Sequence, residues 1–224
     1  MKKITVYTFC IAFLAAGMAS CAKTTKGKLT KEWKVVSYEK TRVGINQSGS
    51  STNSTTSKIS MTETSFIHEN THVDNNGAVV TDYYEDGLVN SHVLTMKKDG
   101  TWSWTKDITY VFNSGSTNRI STEESGTWSF VGKTKGDDFK KNERLLFNVL
   151  NKKESSLNIV DNVVVSDDLS NTTFLAGENM QIYTIKESKK KELQLELESN
   201  FVSESSSSGV NKEEGTLKIT LKEK

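Results

Sequence analysis

Proline is absent from all 224 residues, and there are only two cysteines, Cys10 and Cys21, both close to the N-terminus. Without proline, loops must be shaped by Gly, Asn, Asp and Ser, and no residue forbids a strand from pairing at its edge. A body that begins beyond Cys21 holds no thiol, no disulfide and no cysteine-ligated metal, which excludes nucleophilic cysteine chemistry. Excess charge is lacking as well. With 29 basic residues against 28 acidic ones, there is no electrostatic footprint for nucleic acid. Histidine occurs three times. The single long apolar run, Ile4 to Gly17, is broken by Thr5 and Thr8 and is shorter than the roughly 20 residues a membrane-spanning helix requires.

That run has a defined context. Met1-Lys2-Lys3 supplies a short positive segment ahead of it, and Met18-Ala19-Ser20-Cys21 closes it, which is the anatomy of an export signal. The small residues Ala19 and Ser20 directly before Cys21 resemble the lipobox of bacterial lipoproteins, with Met18 standing where Leu is usual. The resemblance implies cleavage before Cys21, acylation of its thiol and acylation of the new amine. Two acyl chains give stable anchoring where one holds only marginally. Ala22 is not the Asp that resembles an inner-membrane retention signal, so an outer-membrane location is expected. On this reading residues 1–20 are a signal peptide, 21–28 a lipidated tether and 29–224 one domain. The signal removes Lys2 and Lys3, and the remaining charge stays near zero.

The body reads as strands. Trp33, Val35 and Ser37 share one side of a first strand rich in β-branched and aromatic residues. Residues 46–57, nearly all Ser, Thr and Asn, contain nothing to pack and are predicted to form a mobile loop. Asn76-Gly77, Asp86-Gly87 and Asp99-Gly100 are turn dipeptides that tolerate positive φ, and they predict hairpins around Ala78–Tyr84, Leu88–Met96 and Thr101–Phe112. Gly132 to Lys141 reads as a charged loop, and Gly177-Glu178-Asn179 as a further turn. Leu193, Leu195 and Leu197 alternate with Glu and Gln, while Leu217, Ile219 and Leu221 alternate with Lys and Thr. A helix would scatter these residues, and a strand lines them up. Charge pairing between the Glu and Lys stripes is expected outside, with Ser203–Gly209 as a rim loop. No helical periodicity is sustained. The expectation is an all-β protein, an antiparallel meander with few or no helices.

The order of these pieces resembles the lipocalin-like lipoproteins of Gram-negative bacteria. The matching residues are Leu29, Trp33 and Val35; Asp99-Gly100-Thr101; Gly126-Thr127-Trp128; Tyr183 and Ile185; Leu193 and Leu195. Glu32 replaces the Gly that usually precedes the Trp, and the stretch from Tyr38 to Asp99 is longer than the pattern. The resemblance implies a lipocalin-like β-barrel, and closure would remove the edges that a chain without proline cannot blunt. Trp33 and Trp128 would then lie at one end, either plugging the floor or packing as ordinary core.

Candidate chemistry is sparse. His68-Glu69-Asn70-Thr71-His72 matches the His-Glu-x-x-His of zinc peptidases, in which two histidines on one helical face bind metal and the Glu acts as base. The polar, β-branched surroundings do not support a helix. On a strand the two histidines stand about 13 Å apart, with Glu69 pointing the other way. A zinc-dependent hydrolase is thus the alternative reading, and no metal or other cofactor is expected. His92 is expected to be a half-exposed strand residue. The acidic pairs Asp137-Asp138, Asp167-Asp168 and Glu213-Glu214 lack calcium-ligand spacing and read as solvated loops. Trp102, Trp104, Tyr110, Phe112, Trp128 and Tyr183 either line a cavity for an apolar or sugar ligand or fill the core, because an eight-strand barrel can be just wide enough for side chains alone. The functional expectation is a non-catalytic binding or structural module, held to the membrane at Cys21.

Overall fold

Successive side chains on a strand point to opposite sides, and here the apolar set of each alternation falls on the concave side of one curved sheet. The computed structural model describes residues 26–48, 51–74, 76–112, 116–133, 142–161, 163–205 and 209–224. Cys21, the signal segment and Asp137-Asp138 lie outside them. A helical turn, α1 (Lys26–Leu29), leads into β1 (Glu32–Ser48), β2 (Ser51–Thr62), β3 (Ser65–Val73), β4 (Val79–Met96), β5 (Thr101–Val111) and β6 (Thr117–Val131). The chain continues through β7 (Glu143–Val160), β8 (Val163–Thr173), β9 (Met180–Ser188), β10 (Glu192–Ser205) and β11 (Gly209–Glu223). The strands run in the order β6-β5-β4-β3-β2-β1-β11-β10-β9-β7-β8, and an added β6–β7 pairing closes a ring of ten with β8 outside it. This is an all-β, antiparallel, lipocalin-like barrel.

The ring is narrower at one end. There β1 pairs directly with β4 through Glu32↔Thr95, Trp33↔Leu94 and Lys34↔Val93, so β2 and β3 are bypassed and eight of the ten strands enclose the interior. A barrel of about eight strands leaves room only for side chains. Trp33, Leu94, Leu145, Phe147, Leu193 and Leu221 fill this floor, each at most 1% exposed. Trp33 donates its indole N–H to the Leu29 carbonyl (3.0 Å), and Trp128 donates to the Lys97 carbonyl (3.0 Å). Leu29 itself is fully buried. Residues 26–28, expected in a tether, therefore belong to a helical turn that seals the floor. The leucine stripes meet as Leu193↔Leu221, Leu195↔Ile219 and Leu197↔Leu217. On the outer face Glu196 pairs with Lys186 of β9 (2.6 Å) rather than with Lys218, which stands opposite it on β11.

Five segments differ from expectation. Residues 46–48 and 51–57 are strand, with β1 and β2 in register from Ser37↔Thr62 to Ser48↔Ser51, and residues 49 and 50 lie outside the described residues. A polar Ser/Thr segment still satisfies its backbone through the ladder, and threonine suits a pleated surface. Ser203–Ser205 and Gly209 likewise belong to β10 and β11, which pair out to Ser205↔Gly209, while residues 206–208 of the expected rim loop lie outside the described residues. Asp167-Asp168 and Glu213-Glu214 lie in β8 and β11 rather than in loops. Asp86-Gly87 is no turn but mid-strand in β4. Gly87 stands between Phe66 and Tyr110 on the flanking strands, whose rings meet edge-on over it at 5.1 Å. The other two dipeptides do turn, with φ of 81° at Gly77 and 88° at Gly100.

Gly126 is required for a different reason. An added Cβ there would lie 1.9 Å from the Asn148 carbonyl oxygen, where β7 crowds β6 at the register shift beside Ser125. Gly132, by contrast, has nothing within 4 Å. Gly126→Ala is expected to destabilise the fold by about 1–3 kcal/mol in urea unfolding followed by circular dichroism, while Gly132→Ala leaves the midpoint in place. Equal midpoints for the two variants would contradict this account.

Candidate ligand cavity

Above the floor the inward-facing residues change character along each strand. On β5 the inward set runs Trp102, Trp104, Lys106, Ile108, Tyr110, so a lysine interrupts an apolar face. Neighbouring strands do the same at the same height. Lys106 stands opposite His92 on β4 and Thr122 on β6, while Trp104 stands opposite Glu124. Across the barrel, β1 supplies Tyr38 and Lys40 beyond a register shift after Val35. These groups surround a cavity of about 370 Å³, walled also by Tyr183, Leu197 and Leu217.

The electrostatics of the wall follow from burial. Burial, reinforced by the charge of Lys106, pushes the His92 pKa down to about 3, so the ring is neutral at ordinary pH. Only 3% of His92 is exposed, which corrects the half-exposed placement expected of it. Its ring lies between those of Tyr38 (5.6 Å) and Trp104 (5.8 Å). Neither His92 Nδ1 nor Trp104 Nε1 has a hydrogen-bond partner, and both are buried. Burial also lowers the pKa of Lys106, against the opposing pull of Glu124 and Glu154. Lys40 is lowered by burial and then by Arg42. Tyr38 rises to about 12, through burial and the nearby Glu124. Tyr183, raised by burial, donates its hydroxyl hydrogen to Gln181 Oε1 (2.9 Å).

The wall has a gap. Pairing between β9 and β10 runs only from Leu193↔Ser188 to Glu196↔Thr184. Beyond it Gln181 and Tyr183 face Leu197 and Ser199 without a ladder, and all four line the cavity. Ile182, Glu198 and Asn200, on the outward side of the same gap, line an external groove of about 740 Å³ together with Arg144. Gly215 borders both spaces. An added Cβ at Gly215 would lie 2.6 Å from Ser199 Oγ, so its missing side chain leaves room for that hydroxyl.

Of the six aromatic residues singled out in the sequence, Trp104 and Tyr183 face the cavity, with ring centroids 6.2 Å apart. Trp102 and Trp128 belong to the filled core beneath, where the eight-strand width leaves no space, and Trp102 packs on Phe147 at 4.7 Å. Tyr110 packs on a second cluster formed by Met61, Phe66, Val89 and Ile108. Phe112 lies past the end of β5 and is exposed. His68, Glu69 and His72 lie on β3, so Glu69 points away from the two histidines. His68 Nε2 meets Ser57 Oγ at 3.2 Å, and His72 Nδ1 meets Asp82 Oδ1 at 2.6 Å. Among the described residues no three His, Cys, Asp or Glu side chains converge.

Sequence reading missed Lys40, His92, Lys106 and Glu124 as wall residues. The signal was present at Lys106, a charge in phase with Trp102 and Trp104, and at Glu124, in phase with Trp128. No family model, curated protein or solved structure matches the chain.

The buried imidazole sets a pH dependence. Its folded pKa of about 3 lies below the ordinary 6.5, so between those values the unfolded chain takes up a proton that the folded chain refuses. Stability is unaffected above that window and falls with pH inside it, by up to about 1.4 kcal/mol per pH unit. His92→Phe removes this contribution. Its acid-unfolding midpoint by circular dichroism is expected at lower pH than that of the parent, and coincident midpoints would contradict the assignment.

Proposed function

We propose that this chain is a lipid-anchored lipoprotein of the outer membrane whose lipocalin-like barrel binds a small ligand and catalyses no reaction. The observation that carries the binding role is the cavity of about 370 Å³. It has an apolar side and a few convergent polar groups, which is the usual composition of a small-molecule site. On its wall Tyr38 is held protonated, and His92 Nδ1 has no hydrogen-bond partner. The anchoring role is supported by the order of charge, apolar run, small residues and Cys21. The membrane is then a partner through the acyl chains, and nucleic acid is not.

Two measurements test the reading. In cells fed labelled palmitate, the parent chain is expected to carry label and sediment with outer membrane, and Cys21→Ser to carry none and leave that fraction. An unlabelled parent would end the anchoring proposal. Native mass spectrometry of the mature Cys21→Ser chain is expected to show an adduct of small-molecule mass, whose removal lowers the melting temperature. Stoichiometric zinc with chelator-sensitive hydrolysis would instead restore the hydrolase reading through His68 and His72.

A further inference from the structure

The cavity wall has an unbalanced charge. Arg42 is satisfied by Glu213 at 2.9 Å, and Lys152 by Glu154 at 3.0 Å. That leaves Lys40 and Lys106 facing the interior with Glu124 as the remaining carboxylate, and no ion pair within 4 Å joins either lysine to it among the described residues. One positive charge is thus in excess in a partly desolvated space. A buried charge is stable only when paired and hydrogen-bonded. Two further polar atoms, Trp104 Nε1 and His92 Nδ1, are buried on the same wall without partners. The indole N–H can only donate, and the neutral imidazole does either according to tautomer.

A neutral apolar occupant would remove water from Lys106 and return nothing to it. A cation would meet two lysines, and a multivalent anion would over-compensate a single excess charge. The geometry points to a small amphipathic anion as the occupant, with its apolar body against Tyr38, Trp104, Tyr183 and Leu217 and one negative group at Lys106 and Lys40. This inference rests on the binding role proposed above and adds the ligand class. The unladdered gap between β9 and β10 gives a lateral route from the outer groove.

The test uses two fluorescent probes with the same fused-ring body, anilinonaphthalenesulfonate, which is anionic, and N-phenylnaphthylamine, which is neutral. They are titrated into the mature Cys21→Ser chain without detergent. The sulfonate is expected to bind one site. Lys106→Met is expected to weaken it at least about tenfold, the loss of one charge-assisted hydrogen bond, while leaving the neutral probe unchanged. Lys106→Arg retains most of the affinity. Leu169→Ser, on the exposed face of β8, is expected to change neither probe, and a loss of binding there would assign the probes to that outer face instead. If Lys106→Met does not fold, Lys40→Met carries the same expectation. Unchanged sulfonate affinity in a folded lysine variant overturns the anion assignment while leaving the cavity reading intact. Failure of both probes to bind, or binding insensitive to Ser199→Phe at the gap, overturns the cavity reading itself.

Discussion

Three backbone pairings between the start of β1 and the end of β4 determine the interior of this molecule. Where Glu32, Lys34 and Trp33 join Thr95, Val93 and Leu94, eight strands close on themselves and the space inside accommodates side chains alone. Higher up, the β2–β3 hairpin enters between those two strands, and β9 parts from β10 after Thr184↔Glu196. Barrel diameter grows with strand number. The filled floor and the cavity above it are therefore two consequences of one change in strand count.

That change also explains the mixed chemistry of the wall. Side chains at the floor meet one another across the barrel and are uniformly apolar. One layer higher they no longer reach, and Lys40, Lys106, Glu124 and His92 occupy inward positions on strands that carry only apolar inward residues below. An unpartnered buried donor or acceptor costs about 1–3 kcal/mol. His92 Nδ1 and Trp104 Nε1 are two such atoms on neighbouring strands. Their concentration on one wall marks the layer at which core packing stops determining residue type.

The strand character and the inward set of β10 and β11 were legible because Leu193 to Leu197 and Leu217 to Leu221 alternate without interruption. Asn76-Gly77 and Asp99-Gly100 were legible because positive φ was needed there. Asp86-Gly87 misled because the same dipeptide serves close strand approach, and its flanking aromatics lie on other strands. Residues 46–57 misled because backbone pairing does not require apolar side chains. Lys40 escaped because the register shift after Val35 changes which residues of β1 point inward, and a local shift of that kind leaves no mark in period-two counting. Phe112 was assigned inward by phase alone, although the ladder ends at Val111↔Thr117.

The helical turn Lys26–Leu29 sets a geometric limit on the anchored state. Leu29 is buried against the floor, and Lys26 lies 5.3 Å above the Trp128 ring. Five peptide steps separate Lys26 from Cys21, a reach of at most about 18 Å. If Cys21 carries acyl chains, the sealed end of the barrel is tethered close to the headgroups and the wider end is directed toward the aqueous side. A ligand would then be exchanged with the surrounding solution or with a facing protein, not drawn directly from the bilayer that holds the anchor.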